Sequence, residues 1–230
     1  MVIDFVTPRC GRLHGDAAPV VLGISPFNSY FSEQAIMEIA EWASAVGSDY
    51  YLYIPDGPTK FTLRAMGYEE HKASRKARRQ NNYLKNKIYR ALGKLGQTDK
   101  NITRRILNSS RLDSDSTYQD ILAQVHDLWR RDESFKQGCV DTARWVLQSQ
   151  RRQQKAWSNA SLELAARYFL AELPLLLRSP EIISSPSAIF CYHQCPVFVR
   201  TLYEQGAYGL LHDSQGFVIR APNTRVDNHV

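Results

Sequence analysis

Apolar and polar positions along this chain change period from block to block, and the blocks predict alternating strands and helices. Val20–Ser25 is a short apolar run rich in β-branched residues, the pattern of a buried, parallel strand. Pro26 stops it, because proline has no N–H for a ladder. Ser32–Val46 places Ala35, Ile36, Ile39, Ala40, Trp42 and Ala43 on one side of a helix that Ser32 caps and Gly47 ends. Asp49–Ile54 is a second strand, closed by Pro55-Asp56-Gly57-Pro58. Strand, helix and strand at this spacing form a βαβ unit with a right-handed crossover. A short helix over Thr59–Met66 precedes a long one over Glu69–Leu95, whose apolar stripe is only Ala73, Ala77, Leu84, Ile88 and Ala91.

Residues 99–112 are ambiguous, with a short strand at Ile102–Leu107 as one reading. Ser114 or Ser116 caps a helix through Arg131, and another runs over Glu133–Gln154. Leu162–Leu177 is apolar nearly all round and reads as a buried helix, which Pro174 should distort. Ser187–Cys191 is a strand, Cys195–Glu204 a helix ended by Gly206, and Gly216–Ile219 a late strand. Residues 1–18 look like an irregular arm and the tail from Arg220 looks loose. With no repeat and no linker, residues 1–230 read as one α/β domain with a mainly parallel sheet.

Charge changes this picture at one place. Lys and Arg total 29 against 23 Asp and Glu, and nine of those bases lie between His71 and Thr98, where there is no acid. The remainder, 20 bases against 23 acids, is mildly acidic, so the excess sits on the long helix, the footprint of a polyanion site. Tyr83 and Gln80-Asn81-Asn82 add hydrogen-bonding groups suited to a ribose-phosphate backbone, and Arg151, Arg152 and Lys155 make a smaller patch. The N-terminus does not read as a signal peptide and no window approaches 18 uncharged apolar residues, which leads to the expectation of a cytoplasmic protein. Cys10, Cys139, Cys191 and Cys195 have no paired CxxC spacing; the stretch Cys191-Tyr-His193-Gln-Cys195 lacks the second pair a zinc site wants, so no metal is expected.

Candidate chemistry gathers at strand ends. In an open α/β sheet, ligands sit beyond the carboxyl ends of the strands, where Ser25 and the pair Tyr192-His193 fall. Gly23 removes a side chain two residues before Ser25. Tyr168 and Glu172, four apart, share a face of the buried helix, and a carboxylate there needs a partner or a task.

Gly23-Ile-Ser25 with Asn28, Tyr168-x-x-x-Glu172-x-Pro174, Tyr192-His193 and the basic run Arg75–Leu84 together resemble the cyclodipeptide synthases, over roughly Val20 to Ile219. Asn28, Tyr192 and His193 match a subgroup marked by Asn, Tyr and His at these places; Pro19 stands where many members carry His, read as loss of a local strand-edge contact. The resemblance implies a Rossmann-like fold similar to the catalytic domain of class I tyrosyl- and tryptophanyl-tRNA synthetases. It implies joining two aminoacyl-tRNAs, without ATP or a cofactor, into a 2,5-diketopiperazine, in a monomer or weak homodimer. Ser25 would carry the first aminoacyl group, Tyr168 and Glu172 would hold its amine, and Asn28, Tyr118 and Tyr192 would orient groups or relay protons. Gly23, Val21, Tyr53, Leu175 and Phe190 would select the side chain, with His193 beside them. Lys72, Arg75, Lys76, Arg78, Arg79, Lys85, Lys87 and Arg90 would bind tRNA. A serine hydrolase would show G-x-S-x-G, and Phe27 breaks that pattern; an RNA-binding module would leave Ser25 and Glu172 without a role.

Overall fold

Val20, Val21, Leu22 and Ile24 have no exposed surface at all, and the sheet is built outward from them. The computed structural model describes residues 2–149 and 156–221. In chain order the elements are β1 (Val2–Phe5), α1 (Pro8–Gly15), β2 (Val20–Gly23), α2 (Glu33–Val46), β3 (Tyr50–Ile54), α3 (Thr59–Ala65), α4 (Glu70–Lys94) and α5 (Asp99–Arg105). There follow β4 (Ile106–Asn108), α6 (Ser109–Leu112), α7 (Ser116–Arg131), α8 (Glu133–Ser149), α9 (Asn159–Ile182), β5 (Ala188–Tyr192), α10 (Val197–Gln205) and β6 (Gln215–Ala221). The six strands lie in the order β1-β6-β5-β2-β3-β4, all parallel except the β1–β6 pair.

Because side chains alternate across a strand, the central strands feed two cores. Val20, Leu22, Ile24, Leu52, Ile54, Ile189 and Cys191 face a core completed by Ile36, Ile39 and Ala43 of α2 and Leu84, Ile88 and Ala91 of α4. Val21, Tyr53, Leu107, Phe190 and Phe217 face the other, filled by α7, α8, α9 and α10. Burial on both faces is why these strands read as continuous apolar runs. The Ser32 hydroxyl caps α2, accepting from the Ala35 N–H at 3.1 Å. Gly206, at φ +63, ends α10 in the left-handed region that glycine enters without cost.

Several expectations are corrected. Residues 2–15 are not an irregular arm: β1 pairs antiparallel with β6, and α1, capped by Thr7 and begun by Pro8, buries Cys10 and Leu13. Arg220 is not loose either; it lies in β6 and is 3% exposed, with its guanidinium donating to the Glu38 carbonyl at 2.7 Å. Residues 222–230 lie outside the described residues, as do Arg151, Arg152, Lys155 and the expected helix end at Gln154. The strand expected at Ile102–Leu107 is shorter and later, Ile106–Asn108, because α5 continues to Arg105. Asp115, not Ser114 or Ser116, caps α7, accepting from the Tyr118 N–H at 2.8 Å.

Pro174 does not distort its helix; the non-helical residue is Arg178 (φ −145°, ψ 38°). Pro180 is the cause, since proline cannot donate four residues back and crowds the preceding turn. The Leu176 carbonyl that Pro180 leaves without its helical donor receives the Tyr203 hydroxyl of α10 instead. No helix among the described residues is long and apolar enough to cross a membrane.

Candidate active site

β2 and β5 are neighbours in parallel register, Val20 opposite Ile189 and Leu22 opposite Cys191, so the residues following them emerge at one edge. That register brings Ser25 and Tyr192, 167 residues apart in sequence, to 2.8 Å between hydroxyl oxygens. Gly23 makes the approach possible. A Cβ there would lie 3.0 Å from the Phe190 ring and 3.1 Å from that of Tyr192, closer than packed carbons tolerate. The glycine thus admits two aromatic rings of the protein itself against the strand end.

From the other side, α9 supplies Tyr168, whose hydroxyl donates to the Ser25 Oγ at 3.3 Å, and Glu172 one turn later. Either hydroxyl of the Ser25–Tyr192 pair can donate to the other, so a proton can pass between them. Asn28 fixes that arrangement: its Nδ2 donates to the His193 Nε2 at 3.2 Å and makes a long contact of 3.5 Å to Tyr192, while its Oδ1 accepts from the Tyr30 N–H. An amide donating to Nε2 requires neutral imidazole with the proton on Nδ1. Burial agrees, pushing the His193 pKa down to about 4. His193 is also stacked on Tyr30, with ring centres 4.5 Å apart, so it braces the site and offers no base to Ser25.

Glu172 is the electrostatic centre. Burial pushes its pKa up to about 8, with a hydrogen bond from Tyr168 pulling the other way. Burial first, and then the Glu172 charge, raises Tyr53, Tyr168 and Tyr192; Tyr118 is raised by burial, then Asp113 and Glu172. These four phenols are therefore neutral at ordinary pH.

The site opens into a cavity of about 570 Å³, lined by Gly23, Ser25, Asn28, Tyr168, Glu172, Phe190, Tyr192 and His193 among the expected residues. Others stand behind its wall. Val21, Tyr53 and Leu175 are core residues at 0%, 2% and 0% exposure, and the α9 stripe on the wall runs Tyr168, Glu172, Leu176. The Tyr118 hydroxyl donates to the Ala171 carbonyl at 2.9 Å, which holds α9 beside Glu172 without reaching the cavity. Residues that sequence reasoning did not single out also line the cavity, among them Tyr68 before α4, Trp145 and Val146 of α8, Val199 of α10 and Phe217 of β6. The stretch from Cys191 to Cys195 is divided, Cys191 in the core and His193 on the cavity.

The basic helix α4 buries its sparse stripe as expected and separates its charges into two groups. Arg75, Arg78 and Arg79 are exposed and have no partner among the described residues. The others are engaged. Lys72 pairs with Glu69, Lys76 donates to the Tyr68 hydroxyl, and Lys85 lies over the Tyr89 ring. Lys87 donates to the Phe31 carbonyl at 2.8 Å, and Arg90 and Lys94 both pair with Glu33. These contacts tie α4 to the α2 end of the sheet. Asn81 is buried and donates to the Asp56 carbonyl at 2.8 Å, so of the Gln80–Asn82 triplet it is a strut between α4 and the β3–α3 turn.

The chain as a whole has counterparts among known proteins. The chain is 30% identical, over 99% of its length and 97% of the other's, to a cyclo(L-leucyl-L-leucyl) synthase of Staphylococcus haemolyticus. It matches with a TM-score of 0.83, at 26% identity over 96% of this chain and 93% of the other, a Mycobacterium tuberculosis structure that relates cyclodipeptide synthetases to type I tRNA synthetases. The fold extends to a cyclodipeptide synthase of Candidatus Glomeribacter gigasporarum bound to Phe-tRNAPhe, at a TM-score of 0.54 and 13% identity over 92% of this chain and 93% of the other. The family model described as cyclodipeptide synthase matches residues 2–222, nearly the whole chain, and the chain belongs to that family.

Proposed function

We propose that this protein uses two aminoacyl-tRNAs in turn and releases a cyclic dipeptide, with Ser25 carrying the growing acyl group. The observation that carries the reading is the Ser25 hydroxyl set between Tyr168 and Tyr192 inside a cavity that also holds Glu172. An aminoacyl ester is already activated, so the serine needs a proton path more than a strong base. Its Oγ attacks the ester carbonyl, the bond to the tRNA ribose oxygen breaks, and the serine proton passes through Tyr192 to that departing oxygen. The amine of aminoacyl-Ser25 then gives up a proton towards Glu172 and attacks the second aminoacyl-tRNA, releasing its tRNA and leaving a dipeptidyl ester on Ser25. The free amine of the dipeptide closes on the Ser25 ester carbonyl, which frees the diketopiperazine and restores the hydroxyl.

The wall beyond Ser25, with Phe169, Leu176, Phe190, Val199 and Phe217, suits an uncharged, bulky apolar side chain. The Staphylococcus relative, a cyclo(L-leucyl-L-leucyl) synthase, is consistent with such a preference. Labelled aminoacyl-tRNA tests the whole reading. Label should first appear on the protein as an ester and then, after a chase with a second charged tRNA, in a cyclic dipeptide identified by mass spectrometry. Free amino acid as the sole product would make the protein a hydrolase, and retention without turnover would make it a binder.

The unpaired arginines of α4 supply the tRNA contact in this reading. Changing Arg75, Arg78 and Arg79 to Glu is expected to weaken tRNA binding at least about tenfold at moderate salt and to flatten its salt dependence, since fewer counterions are released. The identity of the amino acids joined should stay the same. A triple variant with wild-type affinity and salt slope in filter binding would return those arginines to a solvated surface.

A further inference from the structure

Six large apolar side chains are notably exposed among the described residues, and three of them, Phe27, Tyr68 and Trp145, stand on the lining of the active-site cavity at 37% exposure each. They come from three separate places: the turn after β2, the α3–α4 connection and α8. Exposed rings converging on one opening mark a binding surface. Lys76 joins them, with its Nζ 4.6 Å from the centre of the Tyr68 ring and 2.9 Å from its hydroxyl. Phe27 carries a further signal. Following Pro26, it holds φ at +61°, a turn position that glycine or asparagine fills without strain. The strained backbone keeps a bulky ring at the rim where a smaller residue would serve the turn better.

We propose that Phe27, Tyr68 and Trp145, with Lys76, form a docking rim for the unpaired 3′-terminal nucleotides of the aminoacyl-tRNA. The inference rests on the function proposed above. Aromatic faces beside a cation are the surface on which unpaired bases stack while a phosphate is held. Placement favours this occupant over an amino-acid side chain. The rings stay exposed, while the deeper wall offers the covered rings of Phe190 and Phe217 at 4% and 1% exposure. Covalent connectivity then requires the terminal nucleotides to lie outside a carbonyl that has reached Ser25. The same helix that supplies Lys76 carries the unpartnered Arg75 and Arg79 within one turn, so the rim continues into the cationic surface expected to meet the paired stem.

The test is single-turnover loading from charged minihelices ending in CCA, using Phe27→Gly, Tyr68→Ala and Trp145→Ala. Each variant is expected to raise the substrate concentration for half-maximal loading about ten- to a hundredfold, the scale of a lost base-stacking contact. The rate at saturation and the choice of amino acid should hold. Minihelices with an abasic site at each of the last three positions make this a coupling measurement. Removing the base that meets a given ring should harm the wild type as much as the ring variant does, and should add little to that variant. Tyr68→Phe and Trp145→Phe keep a ring and should keep most of the affinity, which separates lost stacking from misfolding. Losses that simply add at all three positions, unchanged loading, or a changed choice of amino acid would overturn the proposal, the last by assigning the rings to the side-chain pocket. A wild type that neither loads nor forms product would instead undo the function on which it rests.

Discussion

Ser25→Ala is expected to abolish both the labelled aminoacyl-protein and the cyclic product, with a loss of at least about a thousandfold in turnover, as for removal of other covalent nucleophiles. Binding of charged tRNA should survive, because α4 and the cavity walls are untouched. The fold should survive as well. Among the described residues the Ser25 hydroxyl bonds only to Tyr168 and Tyr192, both on a cavity that water can fill, so the net change is expected within about 1 kcal/mol. Coincident urea unfolding curves for the two proteins would establish that the loss is chemical. Covalent label on the Ala variant, or product at the wild-type rate, would remove Ser25 from the mechanism.

How this site could be foreseen, and where foresight stopped, follows from the range of the forces involved. Val20–Ser25 and Asp49–Ile54 were legible because a strand buried on both faces must be apolar at successive positions, and turn residues bound it. The edge strands were not. β1 is defined by antiparallel pairing of residues 2–5 with residues 218–221, which no local period encodes, and β4 is three residues long. Ser25 and Tyr192 were recognisable as strand-end residues, but their contact depends on β5 lying beside β2.

The basic helix shows the same limit. Its apolar stripe was readable from spacing, whereas the partners of its polar groups were not. Lys87 meets the Phe31 carbonyl, Arg90 meets Glu33 and Asn81 meets Asp56, each a neighbour 25 or more residues away in sequence. The family resemblance implied cavity places for Leu175 and Val21, both of which are fully covered, because tertiary packing decides which part of a buried face stays open. The aromatic rim was invisible for the same reason, since Phe27, Tyr68 and Trp145 share nothing until the chain folds.

Glu172→Gln is expected to load Ser25 yet form cyclic dipeptide on the order of a hundredfold more slowly, the usual scale for losing a positioned base. Glu172 carries a cost. A carboxyl group on a wall that lifts its pKa to about 8 ionises less readily there than in the unfolded chain. Between the ordinary carboxylate pKa and about 8 the folded protein holds a proton that the unfolded chain has lost, so stability falls as pH rises through that window. Glutamine removes the liability, and the variant should be at least as resistant to urea as wild type near pH 8. A residue retained against that cost is best explained by its use. The amine of aminoacyl-Ser25 arrives largely as an ammonium, which Glu172 can hold as a carboxylate and then deprotonate, with Tyr168 one turn earlier to direct it. The bound cation lowers the carboxyl pKa, so the rate of the second step should climb with pH and level off at or below about 8, a limb that glutamine should lack. Loading with one labelled aminoacyl-tRNA, followed by a chase with a second across that pH range, separates the possibilities. Normal product from the glutamine protein would leave Glu172 a structural residue. Failure to load would place its role in seating the first substrate, and a retained pH limb would assign the base to another group.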